Sequence, residues 1–233
     1  MHDQQRLMLY QGCFLIISFC LLLVFFPIGG ALDLALIHPW VSESGKFLLR
    51  DNWYLAELNH RYVKNLIIAV YVGFFMIWLA SFKFEKVKAL RWNYGYFFAL
   101  VILSTAIIGL LKSQSAHACP WNITIPTHQG FFWDFSATKG HCFPGGHAST
   151  GFALMAGFFV FRLSDKKRAY FFLVSGLILG FAMGWAQMMR GAHFLSHNLW
   201  TAWIIWLVNV SFYLVNYQRF ASSQSMNKVA EKT

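Results

Sequence analysis

The 233-residue chain is 58% hydrophobic and only 12% charged, with a formal net charge of +10. Because about a quarter of the residues in an ordinary soluble domain are charged, this composition excludes a soluble globular protein and indicates one embedded in a membrane. The basic residues do not form one stripe with interleaved aromatic residues. We therefore predict no nucleic-acid partner.

Six apolar segments are long enough to cross a bilayer as helices, which requires roughly 17 to 25 residues each. Hydrocarbon admits only segments whose backbone polar groups are satisfied internally, so we predict an all-α polytopic membrane protein. The predicted helices span residues 12–32, 65–82, 94–111, 147–163, 169–189 and 195–217. No A-x-A cleavage site precedes Asp33, which favours a retained anchor over a signal peptide.

Basic residues fill the two short links that follow the second and fourth predicted helices. They are Lys83, Lys86, Lys88 and Arg91 in one link, and Arg162, Lys166, Lys167 and Arg168 in the other. By the positive-inside tendency, both links and both termini are predicted to be cytoplasmic. Segments 33–64, 112–146 and 190–194 then face outward, although the first of them is basic as well. We predict one membrane domain over residues 1–233, with a short polar tail at 219–233.

The outward loop 112–146 is predicted to have irregular backbone because it is rich in proline and glycine. Cys119 and Cys142 both lie in this loop. An oxidising outer compartment would permit a disulfide between them, and two unpaired thiols are the alternative. Cys13 and Cys20 are interpreted as small apolar residues of the first helix.

Polar residues gather at three helix ends that are predicted to face the same side of the membrane. The stretches are LLKSQSAHACPW (110–121), FPGGHASTG (143–151) and QMMRGAHFLSHNLW (187–200). Glycines allow close approach of a ligand, and free N–H groups at a helix N-terminus favour an anion. Lys112 and Arg190 add two cations, while His147 and His193 can exchange protons near neutral pH. Together these features indicate a phosphate-ester site, whereas each residue alone could be an interfacial, capping or packing residue.

In these residues the chain resembles the type 2 phosphatidic acid phosphatase superfamily, whose pattern is K-x6-R-P, then P-S-G-H, then S-R-x5-H-x3-D. Three parts match in order and spacing: Lys112 with Pro120, PGGH at 144–147, and His193 within RGAHFLSH. The chain departs from the pattern at several positions. Cys119 stands in place of Arg, Gly145 in place of Ser, Gln187 in place of Arg and His197 in place of Asp.

The resemblance implies a six-helix lipid phosphatase that works in two steps without a metal or another cofactor. His193 is the implied nucleophile, His197 orients it, and His147 protonates the leaving oxygen. The groups implied to bind the phosphate oxygens are Lys112, Arg190 and the backbone at Gly145 and Gly146. The cation missing at position 119 could be supplied by His117, His128, His141 or Lys139.

Three other functions are compatible with the sequence. His193 and His197, four residues apart, could bind zinc with Asp134 and His147. A degenerate family member could bind or transport a lipid, and a phosphotransferase could pass the phosphoryl group to a second lipid.

The predicted partners are the bilayer and a lipid phosphate. Candidate substrates are a prenyl pyrophosphate, phosphatidylglycerol phosphate, phosphatidate or a lipid A phosphate. The compact size and short termini suggest a bacterial inner membrane with the site facing the periplasm. The sequence makes no prediction of the oligomeric state.

Overall fold

The computed structural model of the chain describes residues 2–137 and 140–222. Within these residues there are eight α-helices and one two-stranded antiparallel sheet, so the predicted all-α class is confirmed. The helices are α1 (His2–Phe25), α2 (Ala31–Ile37), α3 (Lys64–Ala80), α4 (Arg91–Gln114), α5 (Gly146–Phe152), α6 (Ala156–Phe161), α7 (Lys166–Met189) and α8 (Leu195–Val215). The strands are β1 (Thr124–Thr127) and β2 (Gly130–Trp133).

Five helical stretches in the described residues are long and apolar enough to cross a membrane. They are Asp3–Phe25, Tyr54–Ala80, Glu85–Gln114, Lys166–Met189 and Leu195–Val215. A sixth, Gly146–Phe161, is apolar but shorter. Helix α1 leaves Leu9, Ile16 and Val24 largely exposed, as expected of side chains whose solvent is lipid. The helices therefore fit a membrane-associated bundle.

The bounds of the predicted helices differ from the observed ones most at the first, second and fourth helices. Helix α1 begins at His2, ten residues before the predicted start at residue 12. Helix α1 ends at Phe25 rather than at residue 32, because Pro27 has no N–H group to continue the hydrogen-bond ladder. The predicted fourth helix consists of α5 and α6 joined by a 3-10 turn at Ala153–Met155. A ten-residue π-helix, Tyr54–Val63, also leads directly into α3.

The loop before α5 contains regular structure that was not predicted. Strands β1 and β2 pair with Thr127 opposite Gly130, so two residues form the turn of a hairpin. Residues such as Thr, Ile, Phe and Trp favour strands, which explains why this part of a proline-rich loop is ordered as a sheet. Of the predicted polar tail, residues 223–233 lie outside the described part of the chain.

Helix α5 packs very closely on α7. A Cβ atom added at Gly151 would lie 2.5 Å from the backbone nitrogen of Gly180, so only glycine permits this approach. Small residues at helix contacts are the usual means of packing helices in a membrane. On the other side of α5, the hydroxyl of Tyr71 in α3 donates to the carbonyl oxygen of Thr150 at 2.6 Å. These contacts fix the start of α5 within the bundle.

One end of the bundle carries the β1–β2 hairpin and is called the hairpin end below. A cluster of buried apolar residues joins α2, the hairpin loop and the α7–α8 link at this end: Ile37, Phe47, Ile123, Met188 and Phe194. The backbone N–H of Trp121 also donates to the carbonyl oxygen of Gly191 at 2.9 Å. The loop between α4 and α5 is thereby held against the start of α8.

Candidate active site

Three helix termini meet at the hairpin end and carry the residues that the sequence singled out. Lys112 lies in the last turn of α4, and His147 is the second residue of α5. His193 lies in the link that follows α7, two residues before α8 begins at Leu195. Residues from separate parts of the sequence are therefore placed at one end of the bundle.

His193 and His197 form a buried pair of imidazoles. Their Nδ1 atoms are 3.4 Å apart, and the side chains are 2% and 0% exposed. A hydrogen bond between these atoms requires one ring to donate and the other to accept, which fixes the tautomers relative to each other. Since Nδ1 of His193 is used in this contact, its Nε2 is the nitrogen that remains for chemistry. His197, which stands where the family pattern has Asp, therefore contacts His193 directly.

Burial lowers the pKa of His193 well below its usual range, and the nearby positive charges of His197, Lys112 and His147 lower it further. A hydrogen bond to the Cys142 backbone opposes the shift but does not cancel it. At neutral pH the imidazole of His193 is therefore neutral, which is the nucleophilic form.

The low pKa of His193 predicts a specific dependence of stability on pH. The unfolded chain binds a proton at His193 near pH 6.5, whereas the folded chain does not. The contribution of His193 to stability is therefore present above about pH 6.5 and is lost as the pH falls, by about 1.4 kcal/mol per pH unit. We expect the unfolding temperature of the purified protein, followed by tryptophan fluorescence, to fall less between pH 7 and pH 5 in His193→Gln than in the native chain. Equal slopes would contradict the assigned shift.

The PGGH segment is attached to the first turns of α8 through Gly145. Its N–H donates to Oγ1 of Thr201 at 2.8 Å and to the carbonyl oxygen of His197 at 3.3 Å. A Cβ atom added at Gly145 would lie 2.7 Å from Oδ1 of Asn198. A side chain at this position would therefore require Asn198 to shift. The N–H of Gly145, predicted as a phosphate donor, is already bonded within the protein.

The side chain of Lys112 passes over the start of α5. A Cβ atom added at Gly146 would lie 3.2 Å from Cδ and 3.6 Å from Cε of Lys112. The absence of a side chain at Gly146 therefore leaves room for the lysine to reach along the helix terminus that carries His147. The side chain of Lys112 and His147 therefore lie at the same helix terminus.

Cys119 and Cys142 are joined by a disulfide, with their Cα atoms 5.1 Å apart. With a sequence separation of 23, the crosslink is expected to stabilise the fold by roughly 3 kcal/mol, mainly by restricting the unfolded chain. It connects the loop after Lys112 to the residue that begins the segment Cys142–Gly146. The bond therefore ties two of the three converging stretches together.

Four residues were candidates for the cation missing at position 119, and the structure separates them. The ring of Phe143 lies 5.2 Å from that of His117 and 5.5 Å from that of His197, so His117 borders the histidine pair. His128 is exposed in the turn of the hairpin, and His141 is exposed with a positive φ of 45°. Lys139 lies outside the described residues. Of the described candidates, His117 is the best placed.

Arg190 directs its hydrogen bonds away from the histidine pair. Its Nε donates to the carbonyl oxygen of Arg50 at 2.7 Å, and its Nη1 donates to Oε1 of Gln187 at 3.2 Å. The charges that act on it belong to Arg50, Asp51 and Glu57. Arg190 therefore lies beside position 187, as predicted from their helical spacing. Its contact with a phosphate remains a prediction.

Three side chains that support the site were not singled out from the sequence. Thr201 and Asn198 contact Gly145, and Asp33 accepts hydrogen bonds from Ser196 at the start of α8. Asn198 and Thr201 are three residues apart in α8 and so share a helix face, which is a weak signal for a shared contact. Nothing in the sequence near Asp33 indicates a contact 163 residues away.

The zinc alternative requires Asp134 and His147 to join the histidine pair. Asp134 instead accepts hydrogen bonds from the backbone N–H and hydroxyl of Ser136, at 2.9 and 2.6 Å. In residues 2–137 and 140–222, no three His, Cys, Asp or Glu side chains are grouped closely enough to hold a metal ion.

These features define a polytopic helical protein with a histidine-lined, cationic site at the meeting point of three helix termini. A family model described as the PAP2 superfamily matches residues 93–221, more than half of the chain. The chain belongs to the PAP2 superfamily, and membership implies phosphatase-type hydrolase activity in general. None of the curated proteins and none of the solved structures compared with the chain matches it.

Proposed function

We propose that the protein is a membrane-embedded phosphatase that hydrolyses a lipid phosphate monoester or pyrophosphate through a phosphohistidine intermediate. The observation that carries the proposal is the buried His193–His197 pair at the same end of the bundle as Lys112, whose side chain lies against the start of α5, where His147 is the second residue. A fixed cation beside a neutral, oriented imidazole suits attack on phosphorus. Family membership supports the same class of reaction.

In the first step, Nε2 of His193 attacks phosphorus while the bond from phosphorus to the leaving oxygen breaks. His147 donates a proton to that oxygen, so the lipid leaves as an alcohol or a lipid phosphate. In the second step, His147 accepts a proton from water as the water oxygen attacks phosphorus. The N–P bond then breaks, inorganic phosphate leaves, and both histidines return to their initial forms.

The cations, together with the backbone N–H of Gly146, stabilise the charge that develops on the phosphoryl oxygens, because the N–H of Gly145 is already bonded to Thr201. Lys112 is the principal cation because its side chain lies along the start of α5. Arg190 would have to leave the carbonyl oxygen of Arg50 in order to contribute, and His117 is a further source of positive charge. Such preorganised donors are usually the largest single contribution to catalysis of this kind.

A lipid substrate is proposed because the site lies at the end of an apolar helical bundle. A phosphate head group can enter at the hairpin end while its hydrocarbon tail stays beside the helices. The basic links that contain Lys83 and Lys166 favour a cytoplasmic location for the opposite end. We therefore propose a bacterial inner-membrane protein whose site faces the periplasm and whose termini are cytoplasmic.

Phosphate release by purified protein in detergent, measured against a panel of lipid phosphates, tests this function. We expect release from at least one lipid to persist in EDTA and to be inhibited by vanadate, because the proposed chemistry uses imidazole and no metal ion. Loss of activity in EDTA would instead support a metal-dependent reaction. Labelled phosphate that appears only on an added acceptor lipid would indicate a phosphotransferase, and no turnover of any lipid would indicate a binding protein.

A further inference from the structure

Asp33 in α2 is a buried carboxylate with a complete set of donors. It is 3% exposed, and its Oδ1 accepts from the backbone N–H of Ser196 at 2.9 Å. Its Oδ2 accepts from the hydroxyl of Ser196 and from the backbone N–H of Gly29 at 2.9 Å. Two of these three hydrogen bonds join α2 to the first turn of α8.

The N-terminus of helix α8 needs an acceptor for its free N–H groups, because its own N-cap residue does not provide one. Its N-cap residue is Phe194, which has no side-chain oxygen and makes no capping hydrogen bond. The first N–H groups of a helix require acceptors, and a negative charge near them is favoured by the helix dipole. Asp33 supplies both the acceptor and the charge from a distant part of the chain.

The capped turn is the one that holds the histidine pair. Ser196 lies between His193 and His197, whose Nδ1 atoms must remain within hydrogen-bonding distance. Position 197 carries an imidazole where the family pattern has a carboxylate, so it provides no fixed negative charge. A carboxylate that does bond to this turn is Asp33, which lies outside the matched residues 93–221.

Stability alone is a poor explanation for this carboxylate. Burial raises the pKa of Asp33, although the hydrogen bonds from Ser196 and Gly29 oppose the shift. A buried charge is costly, and a well-packed apolar residue often stabilises a fold as well or better. The surrounding cluster of Ile37, Met188 and Phe194 already provides apolar contacts between α2 and the start of α8.

We propose that Asp33 is a positioning residue for phosphoryl transfer, which fixes the first turn of α8 and thereby holds His193 and His197 in alignment. This inference rests on the proposed function. Asp33 does not touch the substrate, and it acts through Ser196. A loss of alignment by about 1 Å can reduce turnover by about 100-fold, so the effect of the contact should be measurable.

The experiment compares Asp33→Asn and Ser196→Ala with a matched control. Asp134 also accepts hydrogen bonds from the backbone N–H and the hydroxyl of one serine, Ser136, but it does so in an exposed turn. Asp134→Asn therefore removes an equivalent carboxylate that does not contact α8. We expect Asp33→Asn to lower kcat about 10- to 100-fold with little change in KM, Ser196→Ala to lower it less, and Asp134→Asn to leave it unchanged. If Asp33→Asn folds and keeps the native kcat, the proposal is overturned. If Asp33→Asn does not fold, a native kcat in Ser196→Ala overturns it.

A second readout separates this proposal from the proposed function. The rate at which diethyl pyrocarbonate modifies His193 and His197, followed by mass spectrometry, depends on their order and not on any substrate. We expect the rate to rise about threefold or more in Asp33→Asn and Ser196→Ala, while exposed His128 reacts as in the native chain. If the native protein turns over no lipid but the modification rate still rises in the two variants, the proposed phosphatase is rejected and the role of Asp33 in aligning the two histidines is retained. Unchanged modification rates would reject the role of Asp33.

Discussion

Replacing His193 with Gln is expected to reduce lipid phosphate hydrolysis by about 10⁴-fold or more, because glutamine cannot form the phosphoenzyme. Glutamine retains an amide that can hydrogen bond to His197, so the burial of the pair is largely preserved. The measurement is the rate of phosphate release at saturating substrate, together with labelling of the protein by a radioactive phosphate donor. We expect both turnover and acid-labile labelling to disappear.

His128→Gln is the matched control for this substitution. His128 is exposed in the turn between β1 and β2 and should be replaceable without effect on turnover. If both His193→Gln and His128→Gln retained native turnover, the assignment of His193 as the nucleophile would be rejected. If His193→Gln lost turnover but the native protein could not be labelled, direct attack by water would replace the two-step reaction.

Replacing Lys112 with Met is expected to lower kcat by about 10²- to 10³-fold, because it removes a positive charge that stabilises the transferred phosphoryl group. Methionine has a similar apolar stem and can occupy the path over Gly146. The decrease in kcat should therefore result from the missing positive charge and not from a cavity in the packing. Steady-state kinetics with the best lipid of the panel, at fixed ionic strength, gives the measurement.

Lys46→Met controls for a general change in surface charge. Lys46 is exposed at the hairpin end, between the bridged residues Val41 and Phe47. We expect its replacement to leave kcat within a factor of about 2, since exposed charges are strongly screened. If Lys46→Met and Lys112→Met lowered kcat equally, Lys112 would act only through the overall positive charge of the protein and not through contact with the phosphoryl group.

The membrane character and the helical class follow from local properties of the sequence. Apolar length decides whether a segment can cross a bilayer, and it is a property of contiguous residues. For this reason α3, α4, α7 and α8 were predicted nearly to their observed limits. The placement of Lys112, His147 and His193 at helix termini also follows from the sequence, since each lies at the end of an apolar segment, whereas their roles stay predictions.

Only the tertiary structure decided how those residues are held. Whether Arg190 faces the histidines or the carbonyl oxygen of Arg50 depends on how the chain around residue 50 packs, which no local pattern records. The bonding of the Gly145 N–H to Thr201 likewise depends on the approach of α5 to α8.

Asp33 is the clearest case of this difference. Its sequence neighbours are apolar residues of a short helix, so the local pattern indicates only a segment boundary. Its hydrogen bonds to Ser196 depend on packing between residues 163 positions apart. The sequence by itself determined what the chain is embedded in and which chemical groups it offers, because these are set residue by residue. The structure alone determined which groups meet, because burial and hydrogen bonding arise between distant segments.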